Sequence, residues 1–140
     1  MRPPRLLSVV LDTTDPRGLA EFYRQLLGYE YRQGDAPPPA GEPDERGKDW
    51  LVLQHASGSP RIAFQGVAEL PRATWPDPKI PQQFHLDLQI DSLDELNALH
   101  PHVLSLGATL LHERMDDPHE PLRIYADPAG HPFCLFTWIP

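Results

Sequence analysis

The sequence is short of several things, and each shortage narrows what it can be. It has one cysteine, Cys134, so no internal disulfide can form and no Cys-x-x-Cys pair exists to hold zinc or pass electrons. A single thiol suits a reducing compartment, and the cytoplasm is the expected location. No apolar run approaches the roughly 20 residues needed to cross a bilayer. The opening Met1–Arg5 is not followed by the long apolar segment of a secretory signal. Basic residues are few, 12 against 20 acidic ones for a net charge of -8, and they do not cluster. Neither nucleic acid nor an anionic membrane is therefore an expected partner. No glycine-rich phosphate loop and no Ser-His-Asp ordering stands out. The length of 140 residues suffices for one domain with a real core.

Proline is the residue in excess, with 18 copies. It gathers between apolar runs, at positions 37 to 43, 71 to 81 and 118 to 121, where it punctuates a fold. Between these stops the pattern reads as strand and helix. Leu6 to Leu11 forms a first strand. Asp15 and Pro16 open a helix carrying Leu19, Phe22, Tyr23, Leu26 and Leu27 at helical spacing, and Gly28 stops it. Strands follow over Tyr29 to Arg32, Trp50 to His55 and Arg61 to Val67, with residues 34 to 47 as a mobile loop. Residues 68 to 82 form a proline-rich connector that cannot be a central strand.

The second half repeats the first. Phe84 to Ile90 is a strand of strict alternation, apolar at Phe84, Leu86, Leu88 and Ile90, polar at His85, Asp87 and Gln89. Asp91 or Ser92 caps a helix through Leu104, with a kink or a late first turn expected at Pro101, and Gly107 ends it. Strands are expected over Ala108 to Arg114, Leu122 to Ala126 and Pro132 to Ile139. The order is βαβββ twice. The helix stops Leu27-Gly28 and Leu106-Gly107 lie 79 residues apart (107 minus 28), an internal repeat at module scale.

The polar face of the strand over Phe84 to Ile90 is unusual for a merely wetted surface. His85, Asp87 and Gln89 offer an imidazole, a carboxylate and an amide, all able to bind a ligand. His85 suits a hydrogen-bonding cavity residue, a general base or a metal ligand. Asp87 either fixes the imidazole tautomer or pairs with Arg61 or Arg123. Trp50, Phe136 and Trp138 read as stacking walls or as ordinary core, and alternation puts Cys134, Phe136 and Trp138 on one face. Trp75, in the connector, suits a cavity lid or a subunit contact. His100 and His102 read as helix surface, His119 and His131 as loop and turn, and His112 matters only if it faces the cavity.

Leu19-Ala20-Glu21-Phe22-Tyr23, Leu26-Leu27-Gly28, His85-Leu86-Asp87-Leu88, Leu106-Gly107-Ala108 and Tyr125 through Leu135 occur in an order that resembles the vicinal oxygen chelate superfamily, in particular its glyoxalase-like members. The resemblance spans nearly the whole chain. It implies an α+β fold, one domain over residues 1–140, built of two modules over about 5–67 and 83–139 that form a cup-shaped mixed sheet (the glyoxalase/bleomycin resistance/dioxygenase fold). It also implies a homodimer. In metal-dependent members the ligands, commonly His and Glu, sit on the first and last strands of each module. Carried onto this chain those positions are Ser8, Gln65, His85 and Cys134, of which only His85 has the usual type.

The expected function is therefore the binding of a small, partly aromatic molecule without the usual metal site and without another cofactor. Ser8, Trp50, Gln65, His85, Asp87, Gln89, Cys134 and Phe136 are the expected lining. The alternative is a lyase, isomerase or dioxygenase of the glyoxalase-like kind, using His85 with Asp87 as catalytic pair or a divalent metal held by His85 and Gln65. A third possibility is an interaction module whose cup is a packed core.

Overall fold

The computed structural model describes residues 2–3, 5–81 and 83–140. The chain divides into two units, Met1–Leu70 and Pro71–Pro140, and each holds one copy of the βαβββ pattern. Gln82, at the end of the expected connector, lies outside the described residues.

The first unit contains β1 (Ser8–Thr13), α1 (Pro16–Leu27), β2 (Glu30–Tyr31), a single 3-10 turn (Arg46–Lys48), β3 (Trp50–Gln54) and β4 (Arg61–Gly66). Its sheet runs β1-β4-β3-β2, with β1 and β4 parallel and the other pairs antiparallel. The parallel pair needs a crossover, and α1 lies on that connection. Asp15 caps α1 by accepting from the Gly18 N–H at 3.0 Å. Gly28 ends it in the left-handed region, at φ 67°, where a Cβ would be strained. The helix buries Leu19, Ala20, Phe22 and Tyr23, each large side chain contributing about 1.5–3 kcal/mol. Leu11, Leu51, Leu53, Ile62 and Phe64 form the buried sheet side of this core.

The second unit contains β5 (Leu86–Gln89), α2 (Leu93–Ser105), β6 (Thr109–Arg114), β7 (Leu122–Ala126) and β8 (Pro132–Phe136). Its order is β5-β8-β7-β6, again with first and last strands parallel. Ser92 caps α2, accepting from the Glu95 N–H at 3.2 Å. Leu96 and Val103 are the buried residues of α2, against Leu86, Leu88, Tyr125, Phe133 and Leu135 on one side of the sheet by register. Asp127 shapes the turn before β8, its Oδ1 accepting from the Ala129 and His131 N–H groups at 2.9 Å each.

The repeat and the α+β class stand as read, with several local corrections. β1 begins at Ser8, because pairing with β4 starts there, and Leu6 and Leu7 are exposed. β5 begins at Leu86, and Phe84 is 80% exposed instead of packed in the core. β8 stops at Phe136, so Trp138 leaves the sheet and is exposed as well. The helix α2 is assigned without interruption through Pro101. His100 belongs to its packed side, with Nδ1 2.8 Å from the Tyr125 hydroxyl.

The segment over residues 34 to 47 is pinned, not mobile. Asp35 is fully buried. Its carboxylate accepts from Arg46 at 2.7 Å, Arg32 at 3.0 Å and the Val52 N–H at 2.9 Å. Beside it the Arg17 guanidinium grips Asp44 through Nε at 2.7 Å and Nη2 at 3.0 Å, donates to the Asp35 carbonyl at 2.6 Å, and lies 5.0 Å from the Tyr31 ring centroid.

Candidate functional site

In the second unit, register sorts side chains onto two sides of the sheet. Asp87 stands beside Cys134, and Cys134 opposite Ile124, while Phe136 stands opposite Leu122. These residues point away from the α2 side and form the floor of a pocket of about 340 Å³. Leu122, Ile124, Cys134 and Phe136 make it apolar, and Asp87, His112, Arg114 and Glu120 supply its polar groups. An apolar floor with a few convergent polar groups is the usual composition of a small-molecule site.

His85 and Trp75 close one side. Their rings stack at 3.8 Å between centroids and 10° between planes. His85 Nε2 lies 3.3 Å from Asp87 Oδ1, long for a charge-assisted bond but within reach of tightening. The two make an ion pair when the imidazole is protonated. The other partner considered for Asp87 within this unit, Arg123, lies on the opposite side of the sheet. Arg123 donates to Glu113 at 3.1 Å, to the Leu96 carbonyl at 3.2 Å and to Asn97 at 3.0 Å.

Cys134 sits on the pocket floor with its thiol pushed up to about 12, first by burial and then by the negative charges of Asp87 and Glu120, with Arg114 acting in the opposite sense. It keeps its proton at neutral pH, so it is neither an activated nucleophile nor a ready thiolate ligand. Arg114 is itself tied to Asp117 at 3.6 Å and Glu120 at 3.4 Å. Asp117 is held below the usual carboxylate range by the His119 and Glu120 N–H groups.

The expected residues divide between the units. His85, Asp87, Cys134 and Phe136 meet around the pocket. Gln89 shares their side by its pairing with Phe136, yet it borders a separate groove with Ile90, Asp91 and Leu99. Ser8, Trp50 and Gln65 belong to the first unit, where Trp50 faces Gln65 across β3 and β4, and Ser8 is on the same side of the sheet, paired with Arg61.

His112, Arg114 and Glu120 were not expected in the site. A bulge explains the first two. Leu110 pairs with Tyr125 and His112 with Ile124, leaving Leu111 as an extra residue. Simple alternation puts His112 on the side of Leu110; the bulge moves it to the pocket. The i, i+2 pair His112 and Arg114 at the end of a strand was the available signal.

The four positions that the resemblance gives for a chelated metal do not form a matching donor set. Ser8 is a weak ligand, Cys134 holds its proton, and His85 is engaged by Trp75 and Asp87. Among the described residues no three His, Cys, Asp or Glu side chains gather closely enough to hold a metal ion.

Comparison with known proteins agrees with this architecture. No functionally curated protein matches the chain in sequence. Among solved structures it is similar to a glyoxalase/bleomycin resistance protein/dioxygenase family enzyme from Burkholderia phytofirmans PsJN, with TM-score 0.72 and 18% identity over 97% of this chain and 100% of that one. It is similar to a fosfomycin resistance protein from Listeria monocytogenes complexed with Mn(II) and a dihydroxypropylphosphonic acid, with TM-score 0.67 and 17% identity over 96% and 90%. A lactoylglutathione lyase from Agrobacterium tumefaciens matches with TM-score 0.59 and 18% identity over 98% and 96%. At these identities the likeness speaks for the fold alone. The family model of the glyoxalase-like domain matches residues 8–136, and the chain belongs to that family.

Proposed function

We propose that this glyoxalase-like domain binds a small, partly aromatic molecule, and that the pocket on the sheet of the second unit is where it binds. The observation that carries the reading is the meeting of an imidazole and a neighbouring carboxylate, His85 and Asp87, with an apolar floor at Ile124, Cys134 and Phe136 in one pocket. A flat ring fits the floor, and His85, Asp87 and His112 present hydrogen-bonding groups to its edge. The binding needs no metal, which accords with the donor set. Ligands found by thermal-shift screening, titrated calorimetrically into wild type and His85→Gln, test it. Glutamine is polar and of similar length, so the fold should persist while affinity drops by about 0.5–1.5 kcal/mol, the net worth of one hydrogen bond at this exposed imidazole. Equal affinity for both proteins removes His85 from the site.

The His85–Asp87 distance of 3.3 Å also favours a second reading. An imidazole beside a carboxylate can move a proton, so a lyase- or isomerase-type reaction without a chelated metal is the enzymatic alternative. Turnover of a screened ligand, lost in both His85→Gln and Asp87→Asn, would select it. Stoichiometric metal in protein purified without additions would instead restore metal-assisted chemistry, including that of a dioxygenase.

We further propose that residues 1–140 act as one domain, in the cytoplasm and as a homodimer. The exposed Phe84 and Trp138 are better candidates for a subunit contact than Trp75, which is engaged by His85. Sedimentation that finds only monomer at micromolar concentration refutes the dimer.

A further inference from the structure

The wall of the pocket formed by Trp75 belongs to a segment with little regular support. Among the described residues from 71 to 85 none lies in a helix or a strand. Pro71, Pro76, Pro78 and Pro81 contribute no N–H donors. Apart from the Gln83 side chain, the bonds within the segment among the described residues are the Asp77 N–H to the Thr74 carbonyl at 2.9 Å and the Lys79 N–H to Asp77 at 3.0 Å. A bulky indole on such a segment has no reason to keep one position unless something fixes it.

The Gln83 side chain does this. Its Oε1 accepts from the Thr74 N–H at 2.9 Å and from the Trp75 N–H at 3.2 Å. Its Nε2 donates to the Ile80 carbonyl at 3.0 Å and to the Thr74 hydroxyl at 3.1 Å. One amide thus uses both its acceptor and its donors on the same short loop. Two residues on, the His85 ring lies parallel to the Trp75 indole. The loop is closed at Gln83, and its indole is laid against the imidazole.

We infer that Gln83 is a positioning residue of the pocket: by closing the 74–83 segment it holds the Trp75 indole against one side of His85, so that a ligand meets the imidazole only from the other side. This rests on the pocket being the ligand site, but the positioning itself can be read with no ligand present. Glutamate at this position keeps the acceptor for the two N–H groups. Methionine keeps the length and removes every bond.

Labelling with 5-fluorotryptophan gives one fluorine resonance for each of Trp50, Trp75 and Trp138, and Trp75→Phe identifies that of Trp75. In Gln83→Met the Trp75 resonance should collapse toward the position of the free amino acid, with the other two in place. Gln83→Glu keeps the acceptor for the two N–H groups but sets a carboxylate oxygen against the Ile80 carbonyl, so there it should move part of the way. His85→Ala should shift it through loss of the ring stack. Acrylamide should quench Trp75 more strongly in Gln83→Met than in wild type. A Trp75 resonance unmoved in Gln83→Met overturns the inference, whether or not a ligand is found. If Gln83→Met moves all three resonances together, Gln83→Asn, whose amide is too short to reach Ile80 and the Trp75 N–H at once, decides by the same criterion. A failed ligand screen with the Trp75 shifts as described removes the site reading and leaves the positioning intact.

Discussion

The two units share one topology and use their polar side chains in opposite ways. In the first, charges are turned inward to fasten a loop: Asp35 is fully buried among Arg32, Arg46 and the Val52 N–H, and Arg17 joins Asp44 to Tyr31. In the second, His85, Asp87, His112 and Arg114 stand at an open pocket, and the buried helix contacts are fewer. The fold dictates where strands and helices run. Whether a module spends its polar groups on holding itself together or on meeting a ligand is decided by a few loop and edge residues.

The sharpest test of that contrast is Asp35→Ala. It leaves a buried Val52 N–H without its acceptor and two arginines without their carboxylate. A broken buried pair costs about 3–5 kcal/mol, and the partial exposure of Arg32 and Arg46 reduces this to about 3 kcal/mol. Denaturant unfolding measures it, and a loss below about 1 kcal/mol would mean that the loop does not depend on this residue.

Acid and alkali should separate the units. Arg24 and Tyr31 hold the Glu21 carboxyl below the usual carboxylate range, and Arg17 does the same for Asp44. A depressed carboxylate stabilises the fold above its unfolded pKa of about 4, and that stability is lost as pH falls through the lowered folded value. In the second unit the surface residue Asp117 is held low by backbone N–H groups. Hydrogen exchange below about pH 4 should therefore speed up in α1 and its sheet. At the other extreme, burial pushes the Cys134 thiol and the Tyr125 hydroxyl each up to about 12. Raised groups stabilise below their unfolded values of about 8.5 and 10, and that stability is lost as pH rises through the folded ones. Tyr31, also pushed to about 12, is a corresponding group in the first unit. Alkaline exchange should then speed up around Cys134 and Tyr125 in β7 and β8. Exchange in α1 unchanged in acid, or in β7 and β8 unchanged in alkali, would show that these groups do not carry the stability assigned to them.

The smallest effect is expected for Tyr125→Phe. It removes a single hydroxyl bonded to His100 at 2.8 Å and keeps the ring that stacks on Phe133 at 5.4 Å. A loss of about 1 kcal/mol is expected, the net worth of one hydrogen bond. No change would show that His100 contributes nothing to holding α2 on the sheet.

Much of this was legible in the chain itself. Alternation in β5, caps at Asp15 and Ser92, and stops at Gly28 and Gly107 are local signals, and they give both modules in order. His85 and Asp87 were legible for the same reason, since two residues along a strand share a side. What was not legible depends on distant partners or on irregular backbone. Asp35 sits in a stretch of proline and glycine without periodicity, and its burial follows from Arg32, Arg46 and a strand N–H. Gln83 stands just before the strand expected from Phe84, and its role appears only when the loop from Thr74 returns to it. Phe84 fitted the apolar alternation, but the strand begins beyond it. The side His112 faces could not be read from alternation, because one residue in β6 goes uncounted.

That uncounted residue, Leu111, acts on β6 as a single-base insertion acts on a reading frame. Every side chain after it changes phase, and the shift persists until the strand ends at Arg114. Were Leu111 taken into the regular ladder opposite Ile124, His112 and Arg114 would be directed at the helix and Glu113 at the pocket. A module of this kind can thus exchange the groups it offers to a ligand by gaining or losing a bulge in a strand, with every amino acid left as it was.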